Sequence, residues 1–438
     1  MTALNSAIVF NNSTGSDTTA SGSSAGANVY GTNASTTALS NVVTGLVTTG
    51  VQIGDLLWVQ SSSGRQFSVI ASVSSGQVTC DDVFANTESG RSWAIGGKRA
   101  TFDNADSRLI FGADAKANFI IETETDQSIS SVINATQADI TVRGDNQTLR
   151  TITQTADAPC FSTANGNCFE YLKFQNTNLS KTNAYGFVPN ALYVSNRLYR
   201  CVFGDATNQL TSATFRNAFL YVSPKFIQCL ITDCTSDGIG DMRDSSPLVV
   251  SSMIADNGDS GVEMTLRGTL TVSNSIFANN TTHGCQLNHT GSLIHSTNCI
   301  YYGNGQDGIN SQYIVGINAH NIFVANGRYG MYALFGIRDC YENAFYNNTT
   351  ADAFTTNAFY GTGEENQIEK ITLTADPFVD SAASDFNLNA DSGGGATLRA
   401  NNFSLNTDTN VYPFRKYVSD DFDSGAGGGA TIHPLYAN

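Results

Sequence analysis

The sequence predicts an all-β protein: a right-handed parallel β-helix, a single-stranded solenoid, preceded by a small β-domain and followed by a tail. Three observations predict it. First, an aromatic or aliphatic column recurs at Phe174, Phe203, Ile231, Ile254, Phe277, Tyr301, Phe323 and Phe345, with 23, 23, 24, 22 and 22 residues separating the last six. Second, the columns beside it repeat with the same period. Third, neither a 3.6-residue periodicity nor a leucine framework is present, which disfavours helical and leucine-rich repeats.

Each column has a physical reason. Three residues after the aromatic position come Cys234, Asn257, Asn280, Asn304, Asn326 and Asn348. Asparagine tolerates a left-handed bend, and at a strand spacing of about 4.8 Å it can bond to its copies above and below, forming a ladder. Seven residues after come Gly238, Gly261, Gly284, Gly308 and Gly330, expected to supply positive φ at a turn. One residue further the column is apolar again: Ile239, Val262, Cys285, Ile309, Met331 and Ala353. Strand, tight turn and next strand follow from this order.

Upstream the register loosens, with 29 residues from Phe174 to Phe203 and 28 from Phe203 to Ile231. Runs at Phe119–Ile121, Ile140–Arg143 and Leu149–Thr153 fit the first coils. Before them, Asn11–Ser40 is rich in Ser, Thr, Gly and Ala and reads as extended or loop-like. Gly54–Gln60, Gln66–Val73 and Val78–Val83 alternate as three strands of a capping domain, because an open solenoid end exposes strand edges. The expected boundaries are 1–99 for the capping or docking region, 100–390 for the β-helix and 391–438 for a tail used in oligomerisation or docking.

The 438 residues carry 22 Lys and Arg against 38 Asp and Glu, a formal charge of −16. Nucleic-acid affinity rests on cations that neutralise phosphate, so that partner is disfavoured. No apolar run is long enough for a membrane helix. Met1–Phe10 lacks the basic start and apolar stretch of a signal peptide, so release by another route or by lysis is expected. Nine cysteines without zinc spacing call for no metal, and nothing calls for a cofactor. Cys201 and Cys229 share a column, as buried free thiols or as a disulfide.

Ala375–Asp380 contains a D-P-x-F-x-D run followed by the D-F-x-L strand Asp385–Leu388. With the Asn ladder and the Gly54–Lys98 segment, it resembles bacteriophage virion proteins with pectate-lyase-like β-helices: tailspikes and related surface spikes or decoration proteins. The resemblance covers most of Asp55–Gly395. It lacks the usual S-P-A-I-D-x-G ending, which glycines Gly393–Gly395 replace. It implies a structural virion-surface protein, commonly a homotrimer, docked to other virion proteins through either terminal region and contacting host polysaccharide. The alternatives are a phage polysaccharide depolymerase, lyase or glycoside hydrolase, and a non-viral secreted β-helix.

For the enzyme alternative, the candidate catalytic set is Asp244, Asp256, Asp259, Glu263 and Arg267, because closely placed carboxylates can divide acid and base roles. Asp in turns serves structure equally well. Asp237, Ser260, His283 and Asp307 share another column, but Ser falls between Asp and His, the wrong order for a triad. Tyr302, Tyr329, Tyr332 and Tyr346 are candidate sugar-stacking residues.

Overall fold

The computed structural model describes residues 7–22, 28–102, 120–135, 138–180, 182–189, 194–213, 223–314, 316–337, 340–355, 368–401 and 403. The chain folds as a parallel β-solenoid with a small barrel at its base. Each regular coil contributes three strands, as in Gly268–Ser273, Ile276–Ala278 and Cys285–Leu287. Each strand pairs in parallel with its copy in the next coil, building three faces along the rod.

The second face carries the aromatic column. Phe174, Phe203, Ile231, Ile254, Phe277, Tyr301, Phe323 and Phe345 are consecutive partners in one ladder, and all are fully buried. From Phe277 to Phe345 the rings stack at 5.0, 4.8 and 5.1 Å. Each such side chain contributes on the order of 1.5–3 kcal/mol of burial.

Two bends close each coil. The first, between the first and second faces, places Gln228, Ser251, Asn274, Asn298, His320 and Glu342 at positive φ. The second, after the aromatic strand, does the same for Asp233, Asp256, Asn279, Gly303, Ala325 and Asn347. Directly after it runs the asparagine ladder. Asn257 donates to Asn280 at 2.9 Å, Asn280 to Asn304 at 2.9 Å, Asn304 to Asn326 at 3.0 Å and Asn326 to Asn348 at 2.8 Å. A shorter ladder, absent from the sequence reading, joins Asn321 to Asn343 at the first bend.

The glycine column differs from expectation. None of Gly238, Gly261, Gly284, Gly308 and Gly330 has positive φ. They are needed for close approach: a Cβ on Gly308 would stand 2.6 Å from the Gly330 carbonyl and 2.7 Å from the Phe323 ring.

The N-terminal region also departs from its expected bounds. Ile8–Phe10 is a solenoid strand, paired in parallel with Ile120–Thr123, so the boundary at residue 99 is crossed. The intervening chain forms a closed barrel of six strands, Val29–Thr36, Val42–Thr44, Leu56–Ser61, Gly64–Ser74, Gln77–Cys80 and Glu88–Ile95. It returns at Arg99, which bridges Phe10. Leu56 and Val69 of the barrel share a core with Phe10 and Phe102 of the solenoid.

At the other end, Phe378–Asp380 and Asp385–Leu388 pair as an antiparallel hairpin, followed by the helix Gly395–Ala400. Phe378, Phe386, Leu388, Leu398 and Phe403 form one apolar cluster with the outward side chains of the second face, including Ile300, Ile322 and Val324. Apart from Asn401 and Phe403, the tail after the helix lies outside the described residues. All nine cysteines are free thiols, with Cys201 and Cys229 each donating to a backbone carbonyl at 3.4 Å. Among the described residues no helix is long and apolar enough to cross a membrane.

Candidate functional site

The third face carries a continuous polar and aromatic surface. Its strands run from Ile239–Met242 through Val262–Met264, Cys285–Leu287, Ile309–Ile314 and Tyr329–Ile337 to Ala351–Thr355. Alternation sends Val262, Cys285, Ile309 and Met331 into the core. Their neighbours Glu263, Gln286, Asn310, Tyr332 and Phe354 point outward in a continuous register column. The bend before this face adds two parallel columns. One holds Asp259, Thr282, Gln306 and Arg328; the other holds Asp237, Ser260, His283, Asp307 and Tyr329. Together they form a strip along the rod, acidic toward the barrel and aromatic toward the other end.

At the acidic end Asp237 is 6% exposed. Its Oδ1 accepts the Ser260 N–H at 2.9 Å, and Gly240 leaves room for Oδ2, which a Cβ there would meet at 3.3 Å. Burial, then the Glu263 and Asp259 charges, pushes the Asp237 carboxyl up to about 7. A hydrogen-bonded chain spans its flank. Asp259 accepts from Thr282 at 2.6 Å, Ser260 donates to Gln286 at 3.0 Å, Gln286 to Asn288 at 3.1 Å, and Asn288 to Glu263 at 3.0 Å.

At the aromatic end the centre is a fully buried carboxylate. Asp307 accepts from Arg328 Nε at 2.9 Å and from Arg328 Nη2, from Asn310 at 2.8 Å and from the Tyr329 N–H at 3.2 Å. His283 Nδ1 lies 3.3 Å from Asp307 Oδ2. Burial alone would raise this carboxyl; Arg328, His283 and Asn310 instead hold it below the usual range. So held, the Arg328 guanidinium lies 5.2 Å from the Tyr329 ring centre and 4.7 Å from that of Tyr332, a cation–π geometry. Tyr329, Tyr332 and Phe354 are mutually near-parallel with centroids 5.1–5.8 Å apart, and Phe354 is 39% exposed.

The candidate residues from the sequence are therefore regrouped. Asp259 and Glu263 meet on this strip, with Asp237 as the carboxyl between them. Asp256 sits on the bend after the second face, where partial desolvation, then Asp233, raises it; it does not join Asp259 and Glu263. Asp244 and Arg267 are exposed and in register at a third place, beside the Ser245–Gly268 bridge, with no ion pair joining them among the described residues. The five expected catalytic residues thus do not form one site, because the period aligns copies of a column without bringing different columns together. Likewise Tyr329 and Tyr332 meet, whereas Tyr302 and Tyr346 pack against the apolar cluster of the second face, Tyr302 at 5.3 Å from Phe386. Phe354 and Arg328 were missed; the available signals were the register of Phe354 with Tyr332 and the place of Arg328 one residue before Tyr329, the neighbour of Asp307 in its column. Among the described residues no cluster of His, Cys, Asp and Glu is suited to a metal ion.

The sequence description "Right handed beta helix region" fits residues 161–321. No curated protein matches the chain by sequence. Among solved structures, the chain is similar to ORF18 of Geobacillus virus E2 at 16% identity, covering 55% of this chain and 52% of that chain with a TM-score of 0.37. It thus spans about half the length of that viral protein. Pectate lyase Pel9A is similar at 13% identity, covering 68% of this chain and 85% of that chain, TM-score 0.34. The tailspike protein gp49 of Pseudomonas phage LKA1 is similar at 13% identity over 76% and 66% of the two chains, TM-score 0.27.

Proposed function

We propose that the chain is a virion-surface β-helix protein of a bacteriophage that holds a host-surface polysaccharide along its third face. One observation carries the binding part: the strip in which Tyr329, Tyr332, Phe354 and Arg328 continue, coil by coil, into Asn310, Gln286, Thr282 and Ser260. Aromatic faces take the apolar side of a sugar ring, while amides and hydroxyls bond its hydroxyls. The virion placement is supported by the D-P-x-F-x-D closing run and the asparagine ladder. Trimerisation and docking through the barrel or tail belong to the same reading.

Retention on immobilised bacterial capsule and lipopolysaccharide tests it. Wild type should be retained, and Tyr332→Ala, with unchanged far-UV dichroism, should lose roughly tenfold or more in affinity. Equal retention of both proteins sinks the reading.

A second reading follows from Asp237. A carboxyl protonated near neutral pH beside Asp259 and Glu263 suits a general acid, with a neighbour as base. New reducing ends or unsaturated sugars, released by wild type and lost in Asp237→Asn, would establish cleavage.

A further inference from the structure

We infer that the sugar seated on the aromatic end is uncharged, because Asp307 cancels the pull that Arg328 would otherwise exert on acidic rings there. The inference rests on the polysaccharide-binding reading above and adds the ligand's charge to it.

Arg328 is the strip's cation next to the Tyr329, Tyr332 and Phe354 rings, and by itself would favour a uronate or another carboxylated sugar. Its charge is already met. Asp307, with no exposed surface, takes Nε and Nη2 in a two-pronged contact and stays ionised because Arg328, His283 and Asn310 all stabilise the charged form. Asp307 leaves further guanidinium N–H groups on a side chain that is 37% exposed. They can donate to hydroxyls or an amide oxygen, but the pair as a whole presents no net positive charge. The next ion pair along the rim, Lys370 with Asp352 at 3.3 Å, is compensated in the same way. Toward the barrel, three coils below Tyr332 and Arg328 or roughly 14 Å at strand spacing, stand Glu263 and Asp259. A stretched polysaccharide long enough to cover the strip therefore brings its next units over carboxylates. The chain's formal charge of −16 adds a repulsive background. A neutral glycan, bearing hydroxyls or N-acetyl groups, meets donors, acceptors and rings without like-charge repulsion.

The test is an array of bacterial surface polysaccharides in which each acidic member is printed beside its carboxyl-reduced counterpart. It is read with full-length protein at low and physiological salt, with calcium and with a chelator. Wild type should bind neutral and carboxyl-reduced members and discriminate against the acidic counterparts by roughly tenfold or more, most strongly at low salt. Asp307→Asn leaves Arg328 uncompensated and should move that ratio toward the acidic members. A purely structural role for Asp307 would lower both columns together. Wild type binding an acidic member as tightly as its reduced form, with or without calcium, overturns the inference whatever the variant does. Absence of any Tyr332-dependent binding on the array instead overturns the polysaccharide reading itself, and this inference with it.

Discussion

Replacing Asp237 by Asn should make the protein's stability less sensitive to pH, in a direction opposite to that of acids held ionised by a cation, such as Asp307. The side chain is nearly enclosed, and burial, then Glu263 and Asp259, lifts its carboxyl from 3.8 to about 7, against the pull of the Ser260 N–H. An acid whose pKa is higher in the fold holds its proton more tightly folded than unfolded. Below pH 4 both states are protonated and the group contributes no pH dependence. From there the unfolded chain ionises while the folded one does not, so stability falls as pH rises, and the fall is complete above about 7. The full difference corresponds to about 4 kcal/mol. Asn is nearly isosteric and still accepts the Ser260 N–H, so Asp237→Asn removes the titration with little change in packing. Guanidinium midpoints at pH 4, 5, 6, 7 and 8 for both proteins provide the assay. The variant should match wild type near pH 4 and exceed it increasingly up to pH 8. A constant difference over that range, or a wild type that gains on the variant as pH rises, refutes the reasoning.

Three further outcomes follow from the scaffold. Gly308→Ala pushes a methyl group against the Gly330 carbonyl at 2.6 Å and the Phe323 ring, and should cost roughly 1–3 kcal/mol in chemical denaturation, despite lying outside positive-φ space. Asn280→Ala breaks the ladder on both sides, leaving Asn257 Nδ2 and Asn304 Oδ1 without that partner; a loss of about 2–4 kcal/mol should appear as a lower denaturation midpoint. Thiol titration of the native protein at neutral pH should be slow throughout, since burial pushes Cys160 and Cys299 up to about 12. Cys168, only part-buried, should react first, and all nine should react together on unfolding.

Much of the solenoid was legible because its core has a single period. Phe277, Tyr301 and Phe323 must stack one strand apart, so the same residue type recurs at nearly fixed spacing. Asn257 to Asn348 were legible for the same reason. The strip was harder to read, since outward positions are not constrained to repeat: Glu263, Gln286, Asn310, Tyr332 and Phe354 are five different residues in one column. Grouping by similarity joined Asp256 to Glu263 and Tyr302 to Tyr332, while the three-sided coil sends each pair to different faces. Spacing alone also misjudged the glycines, whose role is set by a neighbouring coil's carbonyl and ring and not by their own backbone angles. In the N-terminal region the strand Val29–Thr36 hides in a small-residue run, because a barrel wall closed by its neighbours needs only alternate positions filled, here Ala34 and Thr36.

The barrel's insertion between Phe10 and Arg99 has a mechanical consequence. It is joined to the rod by two parallel connections leaving the same coil, with Leu56 and Val69 wedged into the rod's own core. A module on one tether swivels; one held at two points and seated on a packed base does not. Twist or bending applied to the far end of the rod is therefore delivered to the barrel, as torque through a keyed shaft. The module can be exchanged only by replacing the chain between Phe10 and Arg99 as a cassette, since cutting away everything before Arg99 would take the rod's first strand with it.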